Sequence, residues 1–119
     1  MSKKVLVVDD DPIVLKTIDG VLSDEYDVTT AASALQAMAS MGQSKPDLII
    51  LDYKMPVCDG PQALEMIRAD ENLKDIPVIF LTGENDKKHL ENVLKFNPAG
   101  YLLKPCDSEK LHSLIKMII

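Results

Sequence analysis

A chain of 119 residues, 46% hydrophobic and 27% charged, with no low-complexity tract, suits one soluble domain with a real core and is too short for two. Its formal charge of −6 argues against direct nucleic-acid binding, no run is long enough to span a membrane, and the apolar stretch after Met-Ser-Lys-Lys is too short for a signal peptide. The two cysteines, Cys58 and Cys106, have no metal-ligand spacing and suit loops in a reducing compartment, so a cytoplasmic protein is expected.

In chain order, Val5-Leu6-Val7-Val8 is apolar throughout and ends in Asp9-Asp10-Asp11-Pro12. Asp11 followed by proline reads as a helix cap and first helical position, with Val14, Ile18, Val21 and Leu22 as the helical stripe. Tyr26 to Thr30 suits a short strand, and Ser33 caps a helix carrying Leu35, Met38 and Met41 that ends at Gly42. Leu48-Ile49-Ile50-Leu51 is a second unbroken apolar run, closed by Asp52, after which Pro56 and the turn pair Asp59-Gly60 redirect the chain. Gly60-Pro61 opens a helix with Leu64 and Ile67 on one face. Val78-Ile79-Phe80-Leu81 runs into Thr82-Gly83. A polar helix from Asp86 to Phe96 has Leu90, Val93 and Leu94 inside and is broken by Pro98 and Gly100. Tyr101-Leu102-Leu103 is a fifth strand ending in Lys104-Pro105, and Asp107 caps a last helix with Leu111, Leu114, Ile115 and Ile118 on one side. His89 and His112 read as solvated helix surface.

Apolar runs without alternation imply strands buried on both faces, and five strand–helix repeats with short loops imply a doubly wound α/β sandwich around a parallel sheet. Ligands of such sheets bind beyond the carboxyl ends of the strands. Asp9, Asp10, Asp52, Thr82 and Lys104 all follow apolar runs and therefore share that edge. Asp52 alone is either a wet strand end or the centre of a charged site; the agreement of four strands favours the site. Three converging carboxylates repel one another unless a cation intervenes, and a hard divalent ion such as Mg2+, with Mn2+ as its substitute, answers that need. With Lys104, Thr82 and the Gly83 N–H facing it, Asp52 is placed as a nucleophile for a phosphoryl group.

The stretches VLVVDDDP, LIILDYKMPVCDG, VIFLTG and YLLKP, in this order, resemble those of response-regulator receiver domains, and the resemblance covers essentially all of the chain. It implies a single (βα)5 receiver domain over residues 1–119 with no output domain, a flavodoxin-like fold and strand order 2-1-3-4-5. It also implies Asp52 as phosphoacceptor, and Mg2+ held by Asp10 directly, Asp9 through water, Asp52 and the Lys54 carbonyl. Thr82 and Tyr101 match the switch pair, Lys104 the lysine that meets the phosphoryl group, and the bond before Pro105 one that is cis in the family. The implied partners are a sensor histidine kinase or phosphotransfer domain and an output partner on the face of the fourth helix, fifth strand and fifth helix. Nucleic acid and membrane are not among the implied partners.

Some residues depart from the family pattern. Lys54 and Glu84 occupy places that tune the lifetime of the aspartyl phosphate, and their opposite charges suggest pairing across the site and a long lifetime. The segment Phe96-Asn97-Pro98-Ala99-Gly100 replaces the usual small-residue turn. The end Lys116-Met117-Ile118-Ile119 suits either a regulator that buries it in a homodimer or a receiver cut from a longer chain. Three rival readings exist. A magnesium phosphohydrolase would want an acid where Lys54 stands, and a flavin carrier would find its phosphate repelled by the three aspartates after the first strand. The third is a receiver-like module that binds partners without phosphorylation. The expected protein is a switch and not an enzyme.

Overall fold

Strands that are apolar at every position require cover on both faces of their sheet, and the chain supplies it. The structure, a computed structural model, describes residues 2–83, 91, 93–104 and 107–119. Five parallel strands, β1 (Lys4–Val8), β2 (Asp27–Ala31), β3 (Leu48–Asp52), β4 (Val78–Thr82) and β5 (Gly100–Leu103), form one sheet in the order β2-β1-β3-β4-β5. The helices are α1 (Pro12–Leu22), α2 (Ala34–Gln43), α3 (Gly60–Ala69), α4, helical at 91 and 93–95, and α5 (Ser108–Ile118). This is the expected flavodoxin-like sandwich. Strand order reverses direction at β1 and β3, so the crevice between their carboxyl ends is the topological switch point.

Alternate residues of each strand enter opposite layers. Leu6, Val8, Ile49, Leu51, Val78 and Phe80 pack with Ala37, Met41, Leu64, Ile67 and Val93 of α2, α3 and α4. Val5, Val7, Leu48, Ile50, Ile79 and Leu81 pack with Ile18, Leu22, Leu111 and Ile115 of α1 and α5. Each such side chain contributes about 1.5–3 kcal/mol on burial, so β1, β3 and β4, which lead to Asp9, Asp52 and Thr82, are firmly held by the core.

The caps behave as the sequence predicts at Asp11, Ser33 and Asp107. Asp59 does more than turn the chain: it is the N-cap of α3 and forms a reciprocal capping box with Gln62. Just before it, the Cys58 N–H donates to the Pro56 carbonyl at 2.8 Å, a three-residue turn that holds Val57 at φ 70.

Several expectations need correction. β2 begins at Asp27 and runs to Ala31. Leu35 is 79% exposed, because the buried stripe of α2 is Ala34, Ala37 and Met41, and the helix continues past Gly42 to Gln43. Leu94 is exposed while Val93 is buried; the chain leaves α4 through Asn97, whose φ of 53 suits asparagine, and Phe96 packs inward instead. His112 is not free surface, since its Nδ1 lies 3.5 Å from Glu25 Oε2 and ties α5 to the turn after α1. Expectations for Glu84, Asp86, His89, Leu90, Pro105 and Cys106 lie outside the described residues.

Candidate functional site

The alternation that sorts the core also builds the site. Asp9 continues the series of Val5 and Val7, Asp52 that of Leu48 and Ile50, and Lys104 that of Leu102, so all three emerge on the α1–α5 side of the strand ends. Thr82 continues Val78 and Phe80 on the other side, the side to which Tyr101 belongs. Strand pairing carries on past the formal ends: the Asp9 N–H donates to the Ala31 carbonyl at 3.1 Å, Tyr53 to Leu81 at 2.8 Å and Lys104 to Thr82 at 2.8 Å. The functional side chains thus stand on backbone still fixed by the sheet.

Asp9, Asp52 and Thr82 are buried, at 0%, 3% and 1% exposure. The Lys104 ammonium reaches both acids, 2.8 Å from Asp9 Oδ2 and 3.1 Å from Asp52 Oδ1. Asp9 Oδ1 accepts the Asp11 N–H at 2.9 Å, which the turn into α1 delivers. Burial first, and then the Asp9 carboxylate, push Asp52 from 3.8 up to about 7, against the pull of Lys104. For Lys104, burial favours the neutral amine, but the contacts to Asp9 and Asp52 outweigh it and hold the group above the usual lysine value.

One lysine serves two buried carboxylates, which leaves the site short of positive charge. Asp9 Oδ2 is wholly buried, and the Lys104 ammonium lies 2.8 Å from it. Asp9, Asp10 and Asp52 each offer one oxygen within 4.8 Å of the others. An all-oxygen, acidic donor set of this kind fits a hard divalent cation. The acids line a cavity of ≈ 450 Å³ together with Asp11, Tyr53, Lys54, Thr82, Gly83 and Lys104.

The response regulator receiver domain family matches residues 5–116. The chain belongs to that family. It is 39% identical over its whole length to the probable transcriptional regulator ycf29 of Porphyra purpurea, of which it covers 57%. It is 34% identical over 99% of its length to the transcriptional regulatory protein PrrA of Mycobacterium tuberculosis, of which it covers 50%. The chain thus spans about half the length of these curated relatives. Among solved structures, the chemotaxis protein CheY4 of Vibrio cholerae matches with a TM-score of 0.92 and 29% identity over 100% of both chains. The receiver domain of the sensor histidine kinase PA1611 from Pseudomonas aeruginosa PAO1, solved with a magnesium ion coordinated in the active site cleft, matches with a TM-score of 0.89 and 32% identity, over 99% of this chain and 98% of that one. Receiver domains are signalling switches that act in phosphorelays, bind Mg2+ at an acidic pocket and interact with histidine kinases and output domains. Among the described residues of this one, no helix is long and apolar enough to cross a membrane.

In this receiver domain every described residue assigned to the site from the sequence, except Tyr101, lines this cavity. Tyr101 stands back from it, half-buried against the core and paired in register with Phe80, two residues before Thr82. Two contributors were not foreseen. Asp11 serves Asp9 through its backbone N–H while its carboxylate caps α1, a role implied by a short Asp–Pro turn directly after a strand-end acid. Tyr53 lines both this cavity and a neighbouring one with Lys54, Met55, Pro56 and Asp59, and packs edge-on against Phe80 at 5.5 Å. Strand parity beyond Asp52 was the available signal for that.

Proposed function

We propose that Asp52 is the phosphoacceptor of this receiver domain, that Asp9, Asp10, Asp52 and the Lys54 carbonyl hold Mg2+ or Mn2+, and that Lys104, Thr82 and the Gly83 N–H receive the phosphoryl group. The observation that carries this reading is a buried Asp52 at 3.1 Å from the Lys104 ammonium, grouped with Asp9 and Asp10 in one acidic cavity. When bound, the cation supplies the positive charge that lets Asp52 ionise and the phosphoryl oxygens approach.

The donor is a phosphohistidine of a sensor kinase or phosphotransfer domain. An ionised Asp52 oxygen attacks the phosphorus, the new O–P bond forms as the P–N bond breaks, and the imidazole leaves with that electron pair and takes up a proton. Lys104, already between Asp9 and Asp52, turns to the new phosphoryl oxygens. Thr82, buried at the end of β4, donates its hydroxyl to the same group. Its movement frees space on the sheet face it shares with Tyr101, and the surface of α4, β5 and α5 changes for an output partner. Converting a mostly inactive population to a mostly active one takes roughly 5 kcal/mol of differential stabilisation, within reach of a few charge-assisted contacts. Lys54, at the cavity wall, bears on the lifetime of the acyl phosphate by screening it from water. The domain, residues 1–119, works in the cytoplasm as a switch that turns over no small substrate.

Intact mass after incubation with acetyl phosphate tests the reading, with and without Mg2+, for wild type and Asp52→Asn. One phosphoryl group gained only with Mg2+ and only by wild type is expected. Should wild type neither gain mass nor bind beryllofluoride, a phosphorylation-independent interaction module replaces this reading.

A further inference from the structure

Gly60, the first residue of α3, rests on the very peptide that follows the acceptor. A Cβ built there would stand 2.5 Å from the Asp52 carbonyl oxygen, 2.9 Å from Tyr53 Cα and 3.1 Å from Phe80 Cε1. The first two are backbone atoms and cannot swing away. On the other side, the Gly60 N–H donates to the Tyr53 carbonyl at 2.9 Å, while the Tyr53 N–H is held by Leu81 of β4 at 2.8 Å. The helix start is itself fixed by the Asp59–Gln62 capping box. The loop 53–59, which carries Lys54, is therefore clamped between β4 and α3 through a contact that only a residue without a side chain permits.

We propose that Gly60 is a positioning residue for phosphoryl transfer: its missing side chain seats α3 on the Asp52–Tyr53 peptide and so fixes the Asp52 carboxylate and the Lys54 carbonyl. This deepens the function proposed above and rests on it. A methyl group at 60 must move either the peptide or the loop by several tenths of an ångström, and reacting groups tolerate about 0.5 Å before rates fall steeply. Ala63, Leu64 and Ile67 bury α3 further along.

The test compares wild type, Gly60→Ala, Ala63→Gly and Asp52→Asn. Ala63→Gly loosens the same helix at a buried position about one turn further along and serves as the stability control. Three quantities are measured: the initial rate of phosphoryl gain from acetyl phosphate at saturating Mg2+, Mn2+ affinity by electron paramagnetic resonance, and the urea midpoint. Gly60→Ala is expected to lose at least tenfold in both rate and Mn2+ affinity, while Ala63→Gly keeps wild-type values at an equal or lower midpoint. A folded Gly60→Ala within twofold of wild type on both counts overturns the proposal, as does an equal loss in Ala63→Gly. If wild type neither gains a phosphoryl group nor binds beryllofluoride, the proposed function fails and the Mn2+ affinities alone decide the role of Gly60. Should Gly60→Ala not fold, Gly60→Ala/Phe80→Leu, in which the ring at 3.1 Å is removed, is compared with Phe80→Leu by the same tenfold criterion.

Discussion

Without a cation, the site works against the fold, and Asp52→Asn exposes that cost. A carboxyl whose folded pKa is raised binds its proton more tightly in the native state than in the unfolded one. Its contribution is fully present below the unfolded value of 3.8 and is lost as pH rises through about 7. The difference corresponds to on the order of 4 kcal/mol at pH 8, at about 1.4 kcal/mol per pH unit. Asparagine keeps the shape and a neutral acceptor near Lys104 but carries no charge to desolvate. In EDTA, Asp52→Asn should match wild type at pH 4 and exceed it at pH 8 by a Tm difference of roughly 15 °C, at roughly 4 °C per kcal/mol for a domain of this size. Circular-dichroism melts from pH 4 to pH 9 at constant ionic strength measure this. Saturating Mg2+ should narrow the gap, since a cation at a hundred times its Kd stabilises the binding form by about 2.7 kcal/mol. A mutant no more stable than wild type at pH 8, or a difference independent of pH, would refute the account of burial and Asp9 repulsion.

Three further substitutions separate the roles around the cavity. Lys104→Met leaves Asp9 and Asp52 buried with no ammonium between them, so metal-free stability at pH 7.5 should drop by about 2–3 kcal/mol; an unchanged urea midpoint would contradict this. Asp10 is exposed and Asp11 caps α1 through Ile13 at 2.9 Å. Asp10→Ala should therefore lose tenfold or more in Mn2+ affinity with little change in stability. Asp11→Ala should cost about 1 kcal/mol and keep its metal, because Asp9 needs only the Asp11 backbone N–H. The reverse pattern in titrations and melts would exchange their assignments. Val57 is a β-branched residue at φ 70, fully exposed, so Val57→Gly should stabilise the chain by about 1 kcal/mol, and a loss of stability would mean the turn is not strained.

Much of this was legible in the chain itself. Unbroken apolar runs announce strands buried on both faces, and Asp-Pro, Ser33 and Asp107 announce helix starts, because capping and strand burial are decided within a few residues. The acids, the threonine and the lysine at the ends of those runs could be grouped without a structure, since all strands of a parallel sheet end at one edge. Local pattern failed where two arrangements had similar local merit. Leu35 and Leu94 look like core residues, yet alanines at 34 and 37 and Phe96 are better placed to meet the sheet.

The sequence by itself determined the elements, their alternation and the chemistry available at the sheet edge. Tertiary structure alone decided that one ammonium is shared by Asp9 and Asp52, that Tyr101 stands back from the cavity, and that His112 meets Glu25. Those facts depend on strand order and side-chain parity across residues far apart in sequence. The pKa of Asp52 belongs with them, because it is set by burial and by a neighbouring charge that only the folded sheet brings to it.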